Sequence, residues 1–124
     1  PGDQTNLNVA NSTLVQRTNS IAEDLDKIKG VKRSHVVLSE NTGYIGLDID
    51  RDIEGEEVDE IKKEAETRAK KRDNKLKNVM VTTDVDSVER IKRVADGIRD
   101  GKPLSSFANE IEEIGRRLKP SADM

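Results

Sequence analysis

The amino-acid sequence predicts a single α+β domain, and three features of it support that prediction. The chain has 124 residues, which is the usual size of one domain. Four segments carry apolar residues at the spacing of amphipathic helices, and three shorter segments are typical of β-strands. Their order, α-β-β-α-β-α-α, predicts a three-stranded sheet with helices mainly on one face.

The two ends of the chain are predicted to lie outside the folded domain. Residues 1–11 are mostly polar and lack hydrophobic periodicity, which is typical of a flexible linker. Residues 119–124 are interpreted as a short tail. We therefore expect one α+β domain that spans residues 12–118.

A helix is predicted at the start of this domain. Thr13 and Gln16 have the spacing of a capping box, in which each side chain caps the backbone N–H of the other residue. Gly30 stands where a C′ glycine would end the helix in the left-handed conformation. The stripe at helical spacing consists of Leu14, Thr18, Ile21, Leu25 and Ile28. This pattern indicates one buried helix face.

A β-hairpin is predicted next. The run His35–Ser39 is short and rich in residues that favour strands, and Tyr44–Asp50 alternates between apolar and other residues. The intervening residues 40–43 favour a turn, in which Gly43 is expected to supply a positive φ. The apolar residues on one face of the second strand are Ile45, Leu47 and Ile49.

The rest of the chain predicts a helix, a strand and two further helices. The helix at about residues 55–73 has acidic residues first and basic residues last, which complements the helix dipole. Residues 78–83 predict the third strand, and Asp84 or Asp86 is a candidate cap for the next helix. The stripes of the last two helices consist of Val88, Ile91, Ala95 and Ile98, and of Phe107, Ile111, Ile114 and Leu118.

The charge pattern and composition exclude several classes of protein. Charged residues make up 38% of the chain, the two signs are interleaved, and the net charge is −3. A dedicated nucleic-acid-binding protein usually has a basic excess, so nucleic acid is not an expected partner. The absence of cysteine excludes disulfides, thiolate metal sites and a cysteine nucleophile. No stretch of the sequence is apolar enough for a membrane span.

No residue pattern predicts a catalytic, cofactor or metal site. The only histidine, His35, lacks an evident partner and is interpreted as an exposed strand-face or sheet-edge residue. Asp48, Asp50 and Asp52 share one side of a strand end, which is an arrangement able to bind a hard cation, but Arg51 lies among them. We interpret this run as a solvated strand end and expect no structural metal.

Two surfaces are candidates for contact with a partner. A basic cluster near the end of the second helix is a candidate contact for an anionic surface, although a solvated helix end is the simpler interpretation. This cluster consists of Lys70, Lys71, Arg72, Lys75 and Lys77. The helix-free face that we expect on the sheet, around Tyr44 and Met80, is a candidate protein-interaction face.

Several segments taken together resemble a known family. They are Gly30-Val31 with Val36-Val-Leu38, Asn41-Thr-Gly-Tyr-Ile-Gly-Leu-Asp48, Ile61-Lys-Lys-Glu64, Val79-Met-Val-Thr-Thr-Asp84, Val88-Glu-Arg-Ile91, and Ile98-Arg-Asp-Gly-Lys-Pro-Leu104 with Phe107 and Glu110. In this order and spacing they resemble the YhcN/YlaJ family of sporulation lipoproteins, over roughly residues 14–118. The α-β-β-α-β core is also similar to the BON and ring-building-motif modules, a likeness of fold that carries little weight for function.

The resemblance implies a protein that a lipid holds outside a membrane. It implies a lipid-bearing cysteine that is absent from this sequence, with residues 1–11 as the remnant of a polar tether. It also implies a location at the membranes or cortex of the forespore or spore, and a role in spore formation, germination or outgrowth. The family has no attributed catalytic residues, so the resemblance implies a protein that is not an enzyme.

The sequence therefore leads to two hypotheses. The first is a non-enzymatic, membrane-tethered binding or assembly module of the spore envelope, with other envelope proteins as partners and no cofactor. The alternative is a small-molecule or metal-binding regulatory domain on a similar α/β sandwich, which would need a pocket lined by convergent polar groups.

Overall fold

The computed structural model describes the backbone of residues 2–118 and the side chains of residues 13–118. It contains four α-helices, three β-strands and one short 3₁₀ helix, in the predicted order. The elements are α1 (Gly2–Leu25), β1 (Val31–Ser39), β2 (Thr42–Ile49), α2 (Glu56–Arg72), β3 (Asn78–Thr82), α3 (Val85–Arg99), the 3₁₀ helix (Leu104–Phe107) and α4 (Ala108–Leu118). The α+β fold class is confirmed.

Helix α1 differs from the prediction at both ends. Its backbone is helical from Gly2, within the segment predicted to be a linker, because a formed helix can propagate without an apolar stripe. It ends at Leu25, and a turn then leads to Gly30, which has a φ of 97°. A division of the chain into tether, domain and tail stays a prediction, and residues 119–124 lie outside the described part.

The three strands form one mixed sheet with β2 in the centre. β1 pairs antiparallel with β2, and Val36 lies opposite Ile45. β3 pairs parallel with β2, and Val81 lies opposite the same Ile45. These pairs confirm the predicted hairpin and the third strand in the same sheet.

The hairpin turn uses different residues from those expected. Ser39 pairs with Thr42, so the loop consists of Glu40 and Asn41, and Glu40 has a φ of 55°. Gly43 lies within β2 opposite Leu38 and is not among the residues with positive φ. The expectation for Gly43 was therefore wrong, because strand pairing continues up to the two-residue loop.

Helices α1 and α2 cover one face of the sheet. Side chains alternate along a strand, so Val36 and Leu38 of β1 share this face. They belong to a buried cluster made by both helices and the sheet. It consists of Ile21, Leu25, Ile28, Val36, Leu38, Ile45, Leu47, Ile61, Ala65, Ala69 and Leu76.

Helices α3 and α4 cover the opposite face, so the expectation of helices mainly on one face was wrong. A second buried cluster lies there, and it consists of Val37, Ile91, Val94, Ile98, Ile111 and Ile114. The run Val36-Val37-Leu38 places apolar side chains on both faces of β1, which is typical of a strand with helices packed on both faces. The sheet is therefore the middle layer of three.

The contact between α3 and the sheet depends on Gly46 of β2. A Cβ atom at this position would lie 3.1 Å from the Cα of Val88 and 3.3 Å from its two methyl groups. The missing side chain therefore lets α3 pass close over the centre of the sheet.

Helix α1 also passes across the β1 edge of the sheet. Leu14 packs against residues of both buried clusters, which lie on opposite faces. A single side chain can reach both clusters only beyond the edge of the sheet. Around Leu14, α1 therefore shields the edge strand β1, and β3 forms the other edge.

Candidate functional site

His35 does not lie on an exposed face. Its side chain is only 10% exposed, on the face of the sheet that α3 and α4 cover. Its Nε2 lies 3.3 Å from Oδ2 of Asp48, whose side chain is 50% exposed. Of the two predicted positions for His35, the exposed strand face was therefore wrong, whereas the sheet-edge position agrees with β1 being an edge strand. Alternation along β1 puts its side chain on the same face as Val37, which belongs to the second buried cluster.

The acidic run at the end of β2 does not assemble a metal site. Among the side chains of residues 13–118, no group of three or more His, Asp or Glu residues is placed to hold a metal ion. Asp48 instead interacts with His35, and Asp50 lines a cleft together with Arg51.

The candidate protein-interaction face around Tyr44 and Met80 is not helix-free. Tyr44 packs against the second buried cluster, and a Cβ atom on Gly115 of α4 would lie 3.5 Å from its Oη. Burial, with Glu40 as a smaller cause, raises the pKa of Tyr44 above its usual value. Met80 is half-buried and lines a groove with Leu118. Of the two residues, only Met80 therefore lies beside a surface groove.

A row of polar contacts joins α1 to α2, which run antiparallel. Asp24 accepts a hydrogen bond from Arg68 at 3.1 Å, Ser20 accepts one from Arg72 at 3.0 Å, and Arg17 donates to Asp73 at 2.7 Å. The residues used on α1 are three and four apart, so they lie on one helix face. This row fixes the end of α2 beside the second half of α1.

The Arg17–Asp73 pair is the most buried ion pair of this row. The Asp73 side chain is 10% exposed and that of Arg17 is 26% exposed. The hydrogen bond from Arg17 is the largest cause that lowers the pKa of Asp73. Nη2 of Arg17 is buried and has no hydrogen-bond partner among the described residues.

The predicted basic cluster is divided by these contacts. Lys70 forms an ion pair with Glu66 at 3.2 Å along α2. Arg72 donates to the neutral hydroxyl of Ser20, so its charge is not compensated there. Lys71 and Lys75 form no ion pair within the described part of the chain. The structure therefore brings together only part of the cluster.

A cleft lies where the middle of α1 meets the end of α2, and we name it the α1–α2 cleft. Its volume is about 370 Å³. Its lining consists of Thr13, Arg17, Lys71, Arg72, Asp73, Asn74 and Lys75. Four of these side chains are cationic and one is a carboxylate, which Arg17 already contacts.

Sequence reasoning did not include Arg17 in any site. Arg17 is separated from Asp73 by 56 positions, and pairing of the two helices brings them together. The available signal was the polar stripe of Thr13, Arg17, Ser20 and Asp24, whose spacing marks one face of α1.

A second cleft, of about 600 Å³, lies at the ends of β2 and β3, and we name it the sheet-end cleft. Ile49 and Ile53 contribute apolar surface, and Val85 at its rim is 83% exposed. The charged side chains that line it carry both signs. They are Lys32, Arg33, Asp48, Asp50 and Arg51.

Comparison with known proteins defines the class of this chain. The family model described as "Sporulation lipoprotein YhcN/YlaJ" matches residues 2–119, which is nearly the whole sequence. The chain therefore belongs to the YhcN/YlaJ family of sporulation lipoproteins. No helix in the described residues is both long and apolar enough to cross a bilayer.

Two curated proteins of Bacillus subtilis (strain 168) are similar to this chain. One is "Probable spore germination lipoprotein YhcN", which is 24% identical over 102 residues, or 82% of this chain and 54% of that protein. The other is "Probable spore germination lipoprotein YlaJ", which is 25% identical over 118 residues, or 95% of this chain and 56% of that protein. The chain spans about half the length of each relative.

Proposed function

We propose that this chain is the extracytoplasmic domain of a lipid-anchored protein of the spore envelope. In this proposal it acts without catalysis, as a binding or assembly module in spore formation, germination or outgrowth. The family description supports a spore-related role and membrane attachment through a lipid. The names of both curated relatives support a role in germination.

The structural observation that carries the proposal is the position of the α1–α2 cleft. Thr13 and Arg17 come from the middle of α1, and Lys71, Arg72 and Lys75 come from the end of α2. This basic surface therefore lies beside the helix through which the chain enters the domain. An anchor that precedes α1 would hold the basic surface within reach of a membrane.

The basic surface would supply a second contact in addition to the lipid. A single acyl chain gives only marginal, reversible membrane attachment. Each basic residue near an anionic membrane surface contributes about 1 kcal/mol. The candidate residues stay those of the basic cluster: Lys70, Lys71, Arg72, Lys75 and Lys77. Since Lys70 pairs with Glu66, we expect it to contribute less than Lys71 and Lys75.

The location of this module is proposed to be a membrane of the forespore or spore, or the cortex. Other envelope proteins are proposed as further partners. Met80, in the groove between α2, β3 and Leu118, is the residue of the predicted interaction face that still lies on a surface groove.

The test uses the full-length gene product in the spore-forming organism. We expect it in the membrane fraction of spores, with a lipid on an N-terminal cysteine that mass spectrometry identifies. We also expect spores without the gene to form or germinate more slowly, and complementation to restore the rate. Normal sporulation and germination in the deletion strain would refute the spore role. Recovery of an unlipidated, soluble protein would refute the anchoring.

The sheet-end cleft favours the alternative, a small-molecule-binding regulatory domain. Its charges of both signs beside apolar surface suit a small zwitterion. Three of its cations, Lys32, Arg33 and Arg51, form no ion pair within the described part of the chain. Sodium glutamate is a suitable probe for nuclear magnetic resonance titration. Saturable shifts at Arg33, Asp50 and Val85 would support this alternative, and no shifts at these residues would count against it.

A further inference from the structure

We propose that the α1–α2 cleft is a binding site for a phosphate group. The site consists of the cations Arg17, Lys71, Arg72 and Lys75 with the neutral donors Thr13 and Asn74. Only the identity of the phosphate carrier, the headgroup of an anionic phospholipid, rests on the proposed function. The phosphate site itself follows from the charges and donors of the cleft.

The charge balance of the cleft favours an anionic ligand. Asp73 is its single carboxylate, and Arg17 already compensates it through a contact of 2.7 Å. Among the described residues Lys71, Arg72 and Lys75 form no ion pair, and Lys75 is only a minor cause of the lowered pKa of Asp73. This concentration of positive charge is local, because the whole protein has a net charge of −3. Phosphate oxygens would supply the compensating negative charge.

Arg17 supplies a more specific argument than the lysines do. Its Nε donates to Asp73, which fixes the plane of the guanidinium group. Its Nη2 is buried and unpartnered among the described residues. The guanidinium group lines the cleft in this fixed orientation, so it would bind an anion more selectively than a flexible ammonium group. A flexible lysine surface alone would offer no such fixed donor.

The neutral residues of the cleft add hydrogen-bonding capacity. The Thr13 hydroxyl and the Asn74 amide donate without adding charge, and a phosphate group accepts both neutral and charge-assisted hydrogen bonds. The volume of about 370 Å³ accommodates a phosphate group together with part of its carrier. The dipole at the end of α2 opposes an anion, which is why several cations are needed there.

The carrier is inferred from the direction in which the chain enters the domain. Thr13 lines the cleft and lies 11 residues, or roughly 17 Å of helix, after the start of α1. A lipid anchor ahead of α1 would therefore keep the cleft in the vicinity of the headgroup layer. A lipid phosphate would then be available at high local concentration without diffusing to the site.

The experiment compares three forms of the full chain. The test variant is Lys71→Gln with Lys75→Gln, because both side chains are exposed and make no structural contact that a neutral residue would break. The matched control is Lys62→Gln with Lys63→Gln, which removes the same charge from α2 outside the cleft. Circular dichroism melts establish that all three forms fold equally well.

The first measurement is a nuclear magnetic resonance titration with sodium phosphate against sodium chloride of equal ionic strength. We expect saturable shifts of Thr13, Arg17 and Asn74 that chloride does not produce. The affinity should fall about tenfold in the test variant and stay nearly unchanged in the control. Shifts that follow ionic strength alone, or an equal loss in both variants, would overturn the phosphate site.

The second measurement identifies the carrier by sedimentation with phosphatidylglycerol or phosphatidylcholine vesicles. Salt-sensitive binding to the anionic vesicles only, lost in the test variant but not in the control, supports the lipid headgroup. Phosphate binding without vesicle binding supports the site but refutes the lipid carrier. The spore role is tested separately, by the phenotype of the deletion strain. Vesicle binding that survives in the test variant refutes the cleft as the contact.

Discussion

Arg17 of α1 and Asp73, the residue that follows α2, form an ion pair of 2.7 Å across 56 positions of sequence. The pair closes the row of contacts between the two helices and also forms one wall of the α1–α2 cleft. One interaction therefore contributes both to the stability of the helix pair and to the shape of the candidate site.

The first prediction concerns the pH dependence that Asp73 gives to stability. The replacement Asp73→Asn should lower the free energy of unfolding by about 1–3 kcal/mol at neutral pH, because it removes a charged hydrogen bond. The pKa of Asp73 is lowered in the folded state, so its contribution is present above the unfolded pKa of about 3.9 and is lost as the pH falls through the folded pKa. Urea unfolding of both forms should therefore differ at neutral pH and converge in acid. An equal difference at both pH values would contradict this.

The second prediction concerns the centre of the sheet. Ile45 is fully buried and lies in the central strand, opposite Val36 and Val81. The replacement Ile45→Ala should lower the free energy of unfolding by about 2–5 kcal/mol, through lost burial and the cavity left behind. Val85→Ala is the control, since Val85 is 83% exposed and should change stability by less than about 0.5 kcal/mol. Denaturant unfolding measures both, and a small effect at Ile45 would mean that the strand register is wrong.

The third prediction concerns two helical glycines with opposite expected outcomes. Replacing glycine by alanine within a helix usually stabilises it by roughly 0.5–1 kcal/mol. At Gly97 of α3 the added Cβ would overlap the ring of Phe107, so Gly97→Ala should instead destabilise the protein by about 1–3 kcal/mol. At Gly115 of α4 the added Cβ would make only an ordinary contact with Tyr44, so Gly115→Ala should be stabilising.

Thermal melts of the two alanine variants measure this contrast. The double replacement Gly97→Ala with Phe107→Leu should recover part of the loss, because the smaller side chain leaves room for the methyl group. A stabilising Gly97→Ala would show that α3 and the 3₁₀ helix are not in close contact.

The fourth prediction concerns Tyr44, the only tyrosine in a chain without tryptophan. Its pKa is raised by burial, with Glu40 as a smaller cause. The folded state therefore favours the neutral phenol, and this stabilisation is lost as the pH rises through the folded pKa of Tyr44. Near-ultraviolet absorbance should show ionisation above the usual pKa of about 10. Glu40→Gln should lower the midpoint slightly, and titration at the unperturbed value would contradict burial under α4.

Hydrophobic periodicity predicted most of the fold, because each element carries its own pattern. The stripes of α2, α3 and α4 and the alternation of β2 are local properties of the sequence. The side of the sheet that each helix covers is not a local property of the sequence, because it depends on pairing between strands. Two features indicated helices on both faces only indirectly: the run of three apolar residues that begins at Val36, and the glycine at position 46.

The candidate site was less predictable for the same reason. The basic residues at the end of α2 are contiguous in sequence and were identified. Arg17 and Thr13 complete the α1–α2 cleft only because the row of polar contacts aligns α1 with α2. Lys70 forms an ion pair with Glu66 along α2, so its charge is partly compensated. A count of basic residues in the sequence does not show this pairing.

The passage of α1 across β1 has a consequence for self-association. An uncovered strand edge is a template for pairing with another chain. Since α1 shields β1, sheet extension between copies is restricted to the side of β3. Two molecules joined through β3 would each present only a shielded β1 at their outer edges. Growth by strand addition would therefore stop at a pair, and a densely packed layer of such domains would be protected from forming open-ended fibres.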